Sequence, residues 1–248
     1  MAWWEYFYNP AMFEWDPVWN NNLNFAWLLV LAAGLYFTRT PGRAGRRRLL
    51  AFVAYSVFME YVTTNDHFKA LLGLAGNAPL YHALTPGLFL VMIRLFAPAL
   101  FGARSGRWVV RLTVAFVVVA LLAASTQASW REFPTVAASL YALAGVACCL
   151  GYFVRLLVLP ARGYLERNPL FWVAAAGLVY YSGSVLVLAA VNYIDYDYEF
   201  FQSVYIVYHL LTLVFLLALL IAFALPAPPP PETTQSNPRF DLPRPAQR

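Results

Sequence analysis

Residues 168–225 read NPLFWVAAAGLVYYSGSVLVLAAVNYIDYDYEFFQSVYIVYHLLTLVFLLALLIAFAL. Two apolar runs, Leu170 to Val191 and Phe200 to Leu225, flank a short connector whose only charges are Asp195, Asp197 and Glu199. Each run exceeds the roughly 20 residues that a helix needs to cross a hydrocarbon core, so the stretch predicts a transmembrane helical hairpin. Both runs carry polar groups at mid-depth: Tyr180, Tyr181 and Ser182 in the first, His209 in the second. At that depth a polar side chain faces protein or a cavity rather than lipid.

The rest of the chain shares this character. Hydrophobic residues make up 61% of its 248 and charged residues 12%, against about 25% charged in a soluble domain, and mean hydropathy is +0.59. An all-α integral membrane protein follows. The length suits one bundle and leaves little for a separate soluble domain. Its net charge of +5 is explained by loop topology rather than by nucleic acid, which is not expected as a partner. Cys148 and Cys149 are adjacent inside an apolar run, so they build neither a disulfide framework nor a zinc site.

Residues 1–22 mix Trp3, Trp4, Trp15 and Trp19 with other aromatics and with Glu5, Glu14 and Asp16. Such rings favour the headgroup level, which predicts an interfacial segment. It lacks the basic start and cleavage site of a signal peptide and is expected to stay in the mature protein. Seven spans are then expected, at about 23–37, 49–64, 83–100, 108–124, 134–159, 170–191 and 200–225. Residues 65–82 suggest an amphipathic interfacial helix, and Pro86, Gly87 and Pro98 predict a kink or late start in span three. Residues 226–248 are proline-rich and non-periodic, which predicts a disordered or polyproline II cytoplasmic tail.

Charge fixes the expected orientation. Of 17 lysines and arginines, five lie in Arg39–Arg48, four at Arg94, Arg104, Arg107 and Arg111, three at Arg155, Arg162 and Arg167, and three in the tail. That places 15 on one side, leaving Lys69 and Arg131 on the other. By the positive-inside rule the 15 are cytoplasmic, which predicts the N-terminus outside and the C-terminus inside. Glu5, Glu14, Asp16, Asp66, Glu132, Asp195, Asp197 and Glu199 then fall outside. A multi-pass protein of a bacterial inner membrane fits this pattern.

Glu60 and His209 are the ionisable groups that matter most. At a rise of 1.5 Å per residue Glu60 lies about 17 Å from the arginine-rich start of its span, and His209 about 14 Å from the outer start of its own. These depths allow pairing if the helices are neighbours, and a carboxylate there is costly unless paired or protonated. Tyr61, Tyr180, Tyr181, Tyr205 and Tyr208 are placed to line the same outer cavity, and Tyr205, His209 and Thr212 share a helix face. Interhelical hydrogen bonding is the plainer role for all of these groups. Arg43, Arg46, Arg47 and Arg48 suit anchoring to anionic lipid. Asp66, His67 and His82 are weak metal candidates without a recognised ligand spacing, and no cofactor is expected.

Several activities are argued against. Retinal needs a lysine within a span, and the only lysine is Lys69. Ser182-Gly183-Ser184 does not supply the GxSG of a rhomboid-type protease, and no kinase or phosphate-transfer motif is present, so no intrinsic catalysis is expected. The last hairpin resembles the closing part of bacterial seven-helix membrane modules that occur alone or fused to sensor histidine kinases. Pro169, Phe171, Trp172, Gly177, Tyr180, Ser182, Gly183, Tyr205 and His209 carry the resemblance. It implies a signalling accessory coupling an outer or membrane-borne stimulus to a cytoplasmic partner such as a histidine kinase. This chain departs in having a proline-rich segment after the last span where fused members carry a kinase. The alternative is a small-solute or proton-linked transporter, for which no inverted repeat is evident.

Overall fold

The protein is described by a computed structural model over residues 16–39, 44–74, 77–126, 134–158, 165–193 and 198–225. Among these residues every regular element is a helix. In chain order they are α1 (Asp16–Thr38), α2 (Ala44–Thr64), the short α3 (Asp66–Leu71), α4 (Ala78–Phe101), α5 (Ser105–Thr126), α6 (Thr135–Val158), α7 (Pro169–Tyr193) and α8 (Tyr198–Ala224). Turns of 3-10 helix at Gly102–Arg104 and Leu165–Arg167 precede α5 and α7. Four helical stretches, Ala78–Thr126, Thr135–Val158, Pro169–Ala189 and Ile206–Ala224, are long and apolar enough to cross a membrane. The first contains both α4 and α5. Leu23–Thr38 is apolar but shorter.

Three helix starts differ from the sequence expectation by five residues or more, one of them that of α2, which begins at Ala44 rather than near residue 49. Helix α1 begins at Asp16 rather than near residue 23, so the segment expected to be wholly interfacial contributes its last turns to the helix. Helix α4 begins at Ala78, with Pro79 in its first turn, where a missing N–H costs nothing; it runs through Pro86 instead of starting after it. Hydroxyls from Tyr55 and Thr85 reach the carbonyls of Leu84 (2.8 Å) and Tyr81 (2.6 Å) beside that proline, as is usual where proline weakens a helix in an apolar setting. The expected interfacial helix is reduced to α3, capped by the Asn65 side chain accepting from the Phe68 N–H at 3.0 Å.

Six long helices close a ring in which α1 packs on α2, α2 on α4, α4 on α6, α6 on α7, α7 on α8 and α8 on α1. Helix α5 stands outside it, mainly against α4, joined by the stacked rings of Phe89 and Phe116 with centroids 4.1 Å apart. Its outer face, including Val110, Val114, Val118, Leu121 and Leu122, is exposed. Exposed apolar residues also stud α1, α6, α7 and α8, among them Phe25, Leu150, Leu186 and Leu217. An apolar exterior on every side is what a lipid solvent permits and water does not.

The helices approach closely where glycine meets a large neighbour. A Cβ on Gly145 of α6 would strike the ring of Tyr181 in α7, one on Gly183 of α7 would strike Leu211 in α8, and one on Gly34 of α1 would meet Phe223 in α8 at 2.8 Å. Small residues at such seats let packing and hydrogen bonds replace the hydrophobic driving force that lipid cannot supply. We expect Gly145→Leu to lower stability by about 1–3 kcal/mol through overpacking. Gly106→Ala, at a glycine with open space around it, should leave thermal unfolding in detergent unchanged. Equal behaviour of the two variants would refute the seat.

Candidate functional site

The inward stripe of α2 runs through Arg46, Leu49, Val53, Glu60 and Thr63, spaced three, four, seven and three residues apart, which keeps them on one helical face. Glu60 is thereby aimed into the ring while remaining partly accessible. It lies within electrostatic range of Tyr180 on α7 and Tyr208 on α8. Those two hydroxyls lie 3.0 Å apart in a hydrogen bond that joins α7 to α8. Tyr208 also interacts with Tyr81 of α4, which brings in a fourth helix. Nearby, the Thr64 hydroxyl donates to the Glu60 carbonyl at 2.8 Å, and the Asn24 amide of α1 reaches the Thr64 hydroxyl at 3.5 Å.

Aromatic contacts extend the cluster sideways and downwards. The Tyr180 ring stacks on Phe215 with centroids 5.0 Å apart and 11° between planes, and Phe215 meets Phe52 of α2 edge-on at 6.2 Å. Tyr181 faces the other way. It is 2% exposed, shares a 3.1 Å hydrogen bond with the Tyr141 hydroxyl and sits on Gly145. Adjacent tyrosines thus serve different neighbours: Tyr180 the Glu60 cluster, Tyr181 the α6 interface.

Of the candidates read from sequence, the structure gathers Glu60 and Tyr180. Tyr181 abuts them through its ring contact with Tyr180 at 5.2 Å. His209 is buried at 6% exposure, as is Thr212 at 4%; its ring meets that of Tyr208 edge-on at 6.2 Å. Tyr61 does not line the cluster. It is 59% exposed, because one residue beyond Glu60 turns a helix by about 100° and carries the side chain to the outer surface. The side chains of Tyr205 and Asp66 lie outside the described residues. Among the described residues no group of three histidines, cysteines or acids is placed to hold a metal.

The arginine-rich end also needs correction. Arg47 and Arg48 are exposed, as surface anchors should be, but Arg46 is 4% exposed. Its Nη1 donates to the Phe37 carbonyl of α1 at 3.3 Å, so it caps the end of α1 rather than lying on the surface. Arg155 does the same for α4, donating from Nη1 to the Leu100 carbonyl at 2.8 Å. A cation at a helix C-terminus satisfies orphan carbonyls and opposes the negative end of the dipole. Arg43 lies outside the described residues.

Sequence offers Tyr208 only as one tyrosine among several, and gives Asn24 no distinguishing signal. Tyr81 precedes the expected start of its span and so reads as loop; the Pro79 signal for an earlier helix start would have drawn it in. The chain matches no family model, no curated protein and no solved structure. The geometry of the cluster is therefore the basis for a functional reading.

Since Tyr180 and Tyr208 share one hydrogen bond, Tyr180→Phe and Tyr208→Phe should each cost about 0.5–1.5 kcal/mol. The double variant should cost little more than either alone, because a contacting pair is non-additive. Chemical unfolding in detergent measures this cycle. Simple additivity would show that the bond contributes nothing.

Proposed function

We propose that the chain is a seven-span sensory module of a bacterial plasma membrane, with α1, α2, α4, α5, α6, α7 and α8 as spans, the N-terminus outside and the C-terminus in the cytoplasm. The charge partition supports this topology, since the arginine-rich ends fall on one side and the acids mostly on the other. The module passes a stimulus received in its outer half to a cytoplasmic signalling partner. The observation that carries this reading is a half-buried carboxyl, Glu60 of α2, within electrostatic range of the hydrogen-bonded Tyr180 and Tyr208 of α7 and α8. A carboxyl among phenols in an apolar bundle is a costly arrangement, and an outer ligand or a proton that alters it changes how three helices meet.

Transport is the competing reading, and the same residues discriminate it. In phosphatidylcholine proteoliposomes a sensor leaves proton and solute flux at background for both wild type and Glu60→Gln, whereas a carrier shows a flux that Glu60→Gln abolishes. For a sensor, spin labels at Ala51 of α2 and Ala224 of α8 should report a changed distance distribution in Glu60→Gln and in Tyr208→Phe. The expected size is on the order of the 1–2 Å helix shifts typical of such transitions. Identical distributions in both variants would return the cluster to simple interhelical packing.

Topology has its own check. A cysteine at Ala70, beyond α2, should react with a membrane-impermeant maleimide in intact spheroplasts, and one at Ala103, between α4 and α5, only after permeabilisation; both positions are exposed. The reverse pattern would invert the orientation.

A further inference from the structure

Arg46 stands apart from the other arginines in being both buried and half satisfied. Its Nη1 donates to the Phe37 carbonyl, while its Nη2 is buried with no hydrogen-bond partner. A guanidinium has five N–H donors in a rigid fork and stays charged at any physiological pH. Leaving part of it buried and unmatched is among the more destabilising things a folded chain can do. The chain offers little to relieve it locally. Among the described residues of the arginine-rich end the one acid is Glu166, in the turn that packs on α7, and the elements packed on α2 present no acid near Arg46.

The surroundings point to what completes the fork. Arg46 lies in the first turn of α2, beside the end of α1, which on the seven-span reading is an end of the bundle that meets headgroups. Arg47 and Arg48 flank it and are exposed, as is Arg39, so the approach to the site carries concentrated positive charge. Two features then coincide at the start of α2: exposed guanidiniums that draw anions to this end of the bundle, and a buried planar donor fork with one arm engaged. An oxygen-rich anion of phosphate geometry matches the free arm, since guanidinium and phosphate meet through parallel N–H to oxygen bonds.

We infer that Arg46 is half of a specific phosphate site, completed by the headgroup of an anionic phospholipid in the arginine-rich leaflet. The phosphate takes Nη2 when the side chains that bury it part, while Nη1 holds the Phe37 carbonyl, so one lipid headgroup ties the end of α1 to the start of α2. Arg47 and Arg48 attract anionic lipid without selecting a geometry; Arg46 supplies the selection. The site is independent of the Glu60 cluster and of the sensory reading.

Full-length protein in nanodiscs tests this. In phosphatidylcholine doped with phosphatidylglycerol, thermal unfolding should rise above that in phosphatidylcholine alone by about 2–4 °C, the shift expected for a chain of this size when one charged contact is gained. Arg46→Gln should lose most of that rise, Arg46→Lys should keep only part of it because an ammonium lacks the fork, and Arg47→Gln/Arg48→Gln should retain most of it. A wild type that unfolds at the same temperature in both lipids overturns the proposal even if the Arg46 variants do not fold. A full rise in Arg46→Gln also overturns it, by making the effect a diffuse surface one. Inorganic phosphate added to phosphatidylcholine nanodiscs should give no rise; an equal rise there would assign the site to free phosphate and remove the lipid.

Discussion

In an apolar helical bundle a polar group must find its partner inside the protein, and that scarcity governs where the hydroxyls, phenols and guanidiniums of this chain go. Serine and threonine take the cheapest solution, bonding back to their own helix: Ser56 to Phe52, Thr63 to Met59, Ser184 to Tyr180 and Thr212 to Tyr208, at 2.8–2.9 Å. Tyrosine reaches further and therefore joins helices, as in Tyr141 with Tyr181 and Tyr180 with Tyr208. Arginine reaches furthest and closes helix ends across a neighbour, as Arg46 and Arg155 do. The length of each side chain thus decides whether its hydrogen bond stiffens one helix, fastens two, or caps a third.

Glycine placement answers to the same constraint from the other side. A phenol can reach a partner across an interface only if the backbones stand close, and Gly145 and Gly87 give Tyr181 and Tyr55 room to do so. The Tyr55 hydroxyl then meets the Leu84 carbonyl next to Pro86, so one contact serves both close packing and the weakened stretch of α4. Neither the glycine nor the tyrosine is informative alone.

Hydropathy in the sequence located most helices within a few residues, because a long apolar run can satisfy its backbone in lipid only as a helix. It failed at α1 and α4, where Asn20–Asn22 and Tyr81–His82 read as loop although helical hydrogen bonding tolerates them once neighbours are in place. Composition also says nothing of rotation about a helix axis. Arg46 and Arg48, or Glu60 and Tyr61, are equivalent to a hydropathy window and opposite in the structure. The stripe through Arg46, Leu49, Val53, Glu60 and Thr63 was present in the sequence, and reading it would have separated them. That Glu60 comes within range of two particular tyrosines depends on how the helices close around a shared interior, which single-chain periodicity does not encode.

The same closure sets what surrounds the cluster. Across the interior of the ring, α2 and α8, which carry Glu60 and Tyr208, meet through Phe52 and Phe215. Further along, Phe223 of α8 and Leu50 of α2 press on the same glycine, Gly34 of α1. Interiors packed at this density do not absorb a displacement locally; they pass it on or resist it. The stack of contacts that begins with Phe52 and Phe215 runs on to Gly34, one turn before the Phe37 carbonyl that Arg46 holds. The region of Glu60 and the arginine-capped end of α1 are thus bridged by packed aromatic and aliphatic side chains.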